Sequence, residues 1–482
     1  MLSAPELVQV TSRIFPLVVD LDGTLLRSDL LVESAFAHLG AHPERLLPLL
    51  WTSRRGRAAL KAEIASTTYV DVTHLPYDED VLSLVRAARD SGRPVYLASA
   101  SNERYVSRIA EHLGLFDGWY ASTGAENLSS SAKARRLVAA FGNGGFDYIG
   151  NDQADLPVWS AARRRTAVRV SGSVRSRLKG IDPDATVLEK SGGKLRAWIK
   201  LLRVHQWTKN ALVFLPLLTG HWFGFVSMAK AAGAFLAFSI AASAIYILND
   251  LVDLDADRKH RTKRLRPLAA GTVPILKAVL VVPALLAASL AAAYCISPIF
   301  LGVLLAYLVL TTAYTFVLKR KIMVDVIALA SLYTIRVLGG AAAISVFPSE
   351  WILGFSMFIF TALALIKRYV ELAGRLDAEL PDPTNRNYRK SDLNVVACLA
   401  AASGFNAVTV FALYISSDTV SHLYRHPKAL WLICPILMYW LARALIVAHR
   451  RAMHDDPVVF ALKDRNSLLA FGLIGAIMFG AM

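Results

Sequence analysis

The sequence predicts two folds in one chain: an N-terminal α/β domain with a parallel sheet and a helical cap over residues 1–190, and an all-α polytopic membrane bundle of about nine helices over residues 211–482. Three observations point there. At 482 residues the chain exceeds what one hydrophobic core organises. Charged residues are spread throughout as far as Lys190, whereas from Ala211 onward long apolar runs alternate with short polar loops. Within the first half, short continuous apolar runs end in acidic or hydroxyl residues, the pattern of buried parallel strands that deliver polar groups to one edge of a sheet.

The first such run, residues 15–20 (FPLVVD), leads into Asp20-Leu21-Asp22-Gly23-Thr24-Leu25. Carboxylates two residues apart at a strand end suit attack on phosphorus by Asp20 and proton transfer to the leaving oxygen by Asp22. An acidic turn without that role needs no companions, yet companions follow. Residues 94–98 (PVYLA) form a second strand ending in Ser99, whose hydroxyl can hold a phosphoryl oxygen. Lys133, near the start of a helical segment (AKARRLVAAF), can neutralise phosphate and orient the nucleophile. A third strand, residues 146–149, runs into Gly150-Asn151-Asp152-Gln153-Ala154-Asp155, a loop whose Asp152 and Asp155 are fit to ligate Mg2+ through oxygen. Residues 27–87, largely helical in pattern, are expected to close over substrate as a cap.

These motifs, in this order, resemble the phosphatase branch of the haloacid dehalogenase superfamily over residues 12–185. The resemblance implies a Rossmann-like fold with one Mg2+. In it Asp20 is nucleophile and metal ligand, and Asp22 is acid/base and ligates through its backbone carbonyl. Ser99 and Lys133 bind phosphate, and Asp155 supplies the remaining carboxylate. One position departs: where the family often has an acid directly after the glycine of the last motif, this chain has Asn151, with Asp152 following.

In the second half, spans are expected near 211–227, 229–249, 274–295, 298–318, 322–344, 351–366, 395–416, 429–449 and 467–482. Lys and Arg crowd alternate loops, at 258–266, 319–321, 367–390 and 450–465, while the other loops hold little beyond Lys230, Arg425 and Lys428. Positive loops stay in the cytoplasm, so the expectation is a multi-pass protein of the inner (plasma) membrane with its N-terminal domain and sites on the cytoplasmic side. The formal net charge of +16 is largely explained this way, and since it sits in loops between spans it does not indicate nucleic-acid binding. Cys295, Cys398 and Cys434 lie in or at the edge of spans without metal-ligand spacing, so no cysteine chemistry is implied. The N-terminus shows no signal pattern, consistent with a domain that stays in the cytosol.

The second span runs into Asn249-Asp250-Leu251-Val252-Asp253-Leu254-Asp255-Ala256-Asp257 and then RKHRTKRLRP. Continued helix puts Asp250, Asp253 and Asp257 on one face and Asp255 away from it. Carboxylates gathered so repel unless cations sit among them, which suggests Mg2+ bridging to a diphosphate. A solvated acidic helix end would hardly need Asn249 and Asp250 at the rim of an apolar span. The basic run from Arg258 supplies donors for phosphate.

This NDxxDxxxD stretch, with its spans, resembles the UbiA-type prenyltransferase superfamily over residues 195–482. The sequences RVHQWTKN (203–210), DRKHRTKRLRP (257–267), YTIR (333–336), KRYVE (367–371) and DDPVVFALKDR (455–465) look like its decaprenyl-phosphate phosphoribosyltransferase branch, in which the lipid is acceptor. The resemblance implies that a polyprenyl phosphate attacks phosphoribosyl pyrophosphate, with one or two Mg2+ held by Asp250, Asp253 and Asp257. Lys209, Lys263, Arg264 and Arg266 are anion-contact candidates, as are Lys319, Arg336, Lys367 and Arg368, though each also reads as a positive-inside anchor. Aromatic prenyltransferases usually carry a second acidic pair, but here Asp325 is followed four residues later by Leu329. An unpaired acid in a span is costly, which makes Asp325 a functional candidate.

Gly192-Gly193 reads as a joint, within a linker over 191–210 whose KLRAWIKLLR segment has basic and apolar faces suited to the inner membrane surface. Fusion places a phosphatase beside a lipid site, so the expected sequence is phosphoribosyl transfer followed by removal of the 5-phosphate. Three other readings stay open: prenylation of an aromatic acceptor, a soluble domain that is catalytically silent, and a transporter. The last would show midplane charges and internal repeats.

Overall fold

A computed structural model of the protein describes residues 14–41, 64, 68, 70–123, 126–189, 194–383, 386–453 and 456–482. The middle of the expected cap, the Gly192-Gly193 joint and Asp455 lie outside the described residues.

The N-terminal sheet has six parallel strands: β1 (Leu17–Asp20), β2 (Val95–Asn102), β3 (Gly118–Ser122), β4 (Asp147–Gly150), β5 (Arg165–Val168) and β6 (Thr186–Leu188), in the spatial order β3-β2-β1-β4-β5-β6. Every residue of β1 and β4 is buried, as continuous apolar runs covered by helices on both faces require. The strand order reverses between β1 and β4, so the crevice at their carboxyl ends is where a ligand fits. Register pairs Asp20 with Ala98 and Val19 with Ile149, which brings the three motif-bearing loops to that crevice. β2 runs four residues beyond the expected end at Ala98, with an irregularity between Ala98 and Asn102 where it leaves register with β3. Helix α1 (Leu30–Ala41) follows the β1 loop and opens the cap.

Seven helices among the described residues are long and apolar enough to cross a membrane: Phe225–Val252, Ile275–Ile296, Pro298–Phe316, Val324–Ala343, Glu350–Asp377, Lys390–Ile415 and Pro427–His449. Two of the nine expected spans, the first and the last, are not among these seven. The stretch expected to cross first is instead a 3-10 helix, Val204–Phe214, followed by the five-residue helix Leu215–Thr219, which stops at Gly220. The last, Arg465–Ala481, has 17 residues, about 26 Å of α-helix against a hydrocarbon layer of about 30 Å.

The chain forms two compact units, residues 1–202 with 246–282, and residues 203–245 with 283–482. The cut differs from a division at residue 190. The stretch carrying the Asp250 motif packs with the N-terminal domain, because Glu33 of α1 and Asp71 bind the short helix Leu254–Lys259 directly.

In the second unit, Gly340 of the Val324–Ala343 helix lies against the backbone of Val213. A Cβ there would fall 1.9 Å from the Val213 carbonyl oxygen, whereas one at Gly354 meets only a Val410 methyl at 3.5 Å. Gly340→Ala is expected to destabilise the detergent-solubilised protein by about 2 kcal/mol, with Gly354→Ala neutral as control, read by thermal unfolding.

Candidate functional sites

At the carboxyl edge of the sheet, Lys133 Nζ donates to Asp20 Oδ1 at 2.6 Å and to Tyr148 Oη at 3.1 Å, and lies 3.5 Å from Asp155 Oδ1. Tyr148 in turn donates to Asp155 Oδ1 at 2.7 Å. The other Asp155 oxygen accepts from the backbone N–H groups of Asn151 and Asp152 at 2.9 and 3.1 Å, and Thr24 Oγ1 donates to Asp20 Oδ2 at 3.1 Å. Asp20, Lys133, Tyr148 and Asp155 are all buried. Burial alone would lower the Lys133 pKa, but Asp20 and Asp155 outweigh it and hold the ammonium protonated. Burial, reinforced by Asp155 and Asp22, exceeds the opposing pull of Lys133 on Asp20 and lifts that carboxyl to about 7.

Asp22 sits differently. Its Oδ2 accepts from Ser99 Oγ at 3.1 Å and Ser101 Oγ at 2.6 Å, and its Oδ1 accepts from the N–H of Leu30, the first residue of α1. Ser99 thus reaches the site through Asp22. Gly23, between the two acids, has φ +76°, and a Cβ on it would fall 2.0 Å from Asn151 Nδ2, so only glycine lets the two motif loops meet. Arg169 fixes the same loop from outside, donating to the carbonyls of Gly23 at 2.8 Å and Thr24 at 3.2 Å. Tyr148, Thr24, Ser101 and Arg169 were not singled out from sequence. Ser101, two residues after Ser99 on the same strand, is the one that strand alternation reveals. Asp152 does not join the cluster. It is exposed, and its Oδ1 caps the following 3-10 turn at Gln153 N, 2.6 Å away.

At the end of the Phe225–Val252 helix, Arg266 Nη1 bridges Asp250 Oδ1 at 3.1 Å and Asp257 Oδ2 at 2.6 Å, both acids being buried. Lys263 Nζ is 3.9 Å from Asp257. The α-helical path breaks at Asp253, yet N–H bonds from Asp253 to Asn249 and from Asp257 to Asp253 keep the helical spacing. Asp250 and Asp257 therefore meet as expected. Asp253 and Asp255 are exposed, Asp255 pairing with Lys259 at 2.9 Å. Arg264 is exposed and Asn249 half-buried.

Three cations expected to meet phosphate are committed elsewhere. Arg258 is buried with both terminal nitrogens on Glu33, at 2.7 and 2.5 Å. Arg336 donates to Asn210 Oδ1 at 2.7 Å, to the Leu332 carbonyl and to Tyr307 Oη at 3.2 Å, and lies over the Tyr307 ring. Arg368 lies 2.8 Å from Asp325, and Tyr388 donates to the same acid at 2.7 Å. Asp325 is thus not an unpaired acid. Lys209 and Lys367, in contrast, converge on one carboxylate, Asp456 Oδ2, at 3.3 and 2.6 Å, which leaves a surplus positive charge among the described residues. Lys319 is half-buried in the 3-10 turn Leu318–Arg320.

Among the described residues no three of Asp, Glu, His and Cys close to metal-ligand geometry. The donor sets nonetheless suit a hard divalent cation: the buried carboxylates of Asp20 and Asp155 come together at Lys133, and those of Asp250 and Asp257 at Arg266.

The membrane-capable helices and the α/β domain ahead of them define an integral membrane protein with an N-terminal parallel α/β domain. The chain belongs to the UbiA prenyltransferase family, whose model matches residues 212–468, and residues 17–160 match the model of the haloacid dehalogenase-like hydrolases. It is 37% identical over 474 residues to uncharacterized protein y4nM of Sinorhizobium fredii, covering 98% of this chain and 92% of that one. It is 33% identical over 281 residues to nodulation protein NoeC of Azorhizobium caulinodans (56% of this chain, 90% of that one). To the decaprenyl-phosphate phosphoribosyltransferase of Mycobacterium tuberculosis it is 38% identical over 198 residues, 40% of this chain and 64% of that one.

Two outcomes are expected. Because the folded Asp20 carboxyl keeps its proton to about pH 7, whereas an unfolded one loses it near 3.8, folded protein loses stability as pH rises between those values and is level above them. In chelator, Asp20→Asn should therefore gain on wild type from pH 5 to 7, by up to about 3 kcal/mol in unfolding measurements. Arg368→Met should destabilise by about 3 kcal/mol by stranding Asp325, and adding Asp325→Leu should recover most of that.

Proposed function

We propose that the chain is a bifunctional enzyme of the inner membrane. Its membrane half transfers 5-phosphoribose from phosphoribosyl pyrophosphate to a polyprenyl phosphate, and its soluble half removes the 5-phosphate from the product. Both sites face the cytoplasm, where the basic loops lie. The observation that carries this reading is the buried Asp250–Arg266–Asp257 cluster at a span end, in a chain that shares 38% identity over 198 residues with a decaprenyl-phosphate phosphoribosyltransferase.

In the transfer step an oxygen of the lipid phosphate bonds to the anomeric carbon while the bond from that carbon to pyrophosphate breaks, its electron pair leaving with pyrophosphate. Asp250, Asp253 and Asp257 would hold Mg2+, which supplies charge to stabilise the leaving group. Arg266 can exchange a carboxylate partner for a phosphate oxygen, and Lys263 and Arg264 lie in the same loop. The surplus charge of Lys209 and Lys367 at Asp456 suits the acceptor phosphate.

In the hydrolytic step Asp20 attacks phosphorus and Asp22 gives a proton to the departing 5-oxygen. Water then opens the aspartyl phosphate with Asp22 as base. Lys133 holds Asp20 in place and offsets phosphate charge, while Asp20, Asp155 and the Asp22 carbonyl would hold Mg2+. Placing both sites on one chain raises the local concentration of the intermediate.

Membranes containing the protein, given radiolabelled phosphoribosyl pyrophosphate, Mg2+ and a polyprenyl phosphate, should pass label into the organic phase. Asp250→Ala should cut transfer at least about 100-fold, in line with loss of a charge-stabilising group. Asp20→Asn should transfer normally but accumulate a lipid still carrying the 5-phosphate. Absence of label with wild type sinks the phosphoribosyl reading, and full dephosphorylation by Asp20→Asn sinks the second step.

A further inference from the structure

The cap of the phosphatase domain and the aspartate loop of the membrane half are bonded to each other by a buried ion pair. Glu33, on the first turn of α1, meets Arg258 in a two-pronged contact, each side chain only 5% exposed. The remaining donor of Arg258, Nε, reaches the Ala269 carbonyl at 3.3 Å, so one guanidinium ties α1 to both ends of the loop. Further contacts run alongside. Lys259 lies 3.2 Å from Asp71 of the cap. Gly271, at φ +64°, packs so closely that a Cβ would fall 2.5 Å from Arg27 Cβ. Lys200 holds the Leu265 carbonyl at 2.9 Å.

What this contact secures is Asp257. The helix that carries it, Leu254–Lys259, has six residues, too short to persist unaided. Arg258 is the next residue. If Glu33 no longer compensates it, a buried guanidinium is left without a counter-charge and must move toward water, carrying the helix with it. Asp257 then loses its place opposite Asp250, where Arg266 bridges them. The same first turn of α1 is seated on the phosphatase site itself, since the N–H of Leu30 is bonded to Asp22.

We propose that Glu33 is a positioning residue for the Asp250/Asp257 site: through Arg258 the phosphatase cap holds Asp257 in its metal-binding position, so that site depends on the soluble domain for its geometry. The assignment of that site to Mg2+ and phosphoribosyl transfer rests on the function proposed above.

The test uses the full chain in detergent. In an Asp20→Asn/Asp155→Asn background, which removes the carboxylates of the phosphatase site, the Mg2+-induced rise in melting temperature reports the Asp250/Asp257 site whatever its substrate. Glu33→Gln should raise the Mg2+ concentration for half-maximal effect at least fivefold, and the exchange Glu33→Arg with Arg258→Glu should bring it back toward the starting value. In the otherwise wild-type chain, Glu33→Gln should lower label transfer to lipid at least tenfold at limiting Mg2+ while leaving hydrolysis of p-nitrophenyl phosphate within twofold. An unchanged Mg2+ midpoint, or no Mg2+ response at all, overturns the proposal. So does an equal fall in both activities, which marks a purely structural role. A shifted midpoint in a protein that transfers no label sustains the coupling and removes the phosphoribosyl reading instead.

Discussion

The contact of Lys133 with Asp20 and Asp155 is the constraint around which the soluble half is built. Parallel strands β1 and β4 lie side by side, β1 ending in Asp20 and β4 leading into the turn that carries Asp155, so their carboxyl edge concentrates negative charge in a place that burial makes hostile to it. One ammonium makes that edge tolerable without neutralising it. At the second site Arg266 bridges Asp250 and Asp257, with Lys263 3.9 Å from Asp257, and with signs reversed Asp456 is shared by Lys209 and Lys367. In each cluster two like charges are held together by a side chain of the opposite sign that they share. These residues suit a divalent cation in the first cases and a phosphate in the last.

Much of this was legible in the residues. Asp20, Asp22, Lys133 and Asp155 sit on motifs whose order along the chain follows from strand ends meeting at one edge of a sheet, and the structure brings Asp20, Lys133 and Asp155 together there. Tyr148 was hidden because it lies inside an apolar strand, where an aromatic reads as core. Only the sheet register shows its hydroxyl between Lys133 and Asp155. Asp325 does not stand unpaired in its span, as the sequence alone suggested. An acid in a span does need a partner, and Arg368, from a different helix, is that partner.

The basic run after Asp257 shows the limit of reading charge from sequence. Arg258, Arg264 and Arg266 are equivalent as letters, yet one is buried against Glu33, one is exposed and one bridges the acids. Tertiary contacts made far along the chain sort them, and no local pattern encodes those contacts. Span edges failed for a different reason. Pro216 and Gly220 interrupt the first apolar stretch, and hydropathy averaged over a window does not register such breaks.

The Glu33–Arg258 bond also carries information about threading. Residues joined by a direct hydrogen bond lie on the same side of any bilayer the chain enters, so between the soluble domain and Arg258 the backbone crosses an even number of times. The Phe225–Val252 helix is long and apolar enough for one crossing. A return would fall to the polypeptide ahead of it, whose 3-10 geometry sets its reach. Eleven residues at about 2.0 Å each and five more at about 1.5 Å extend roughly 30 Å, the depth of a hydrocarbon layer, over a stretch that would fall well short if coiled as α-helix throughout.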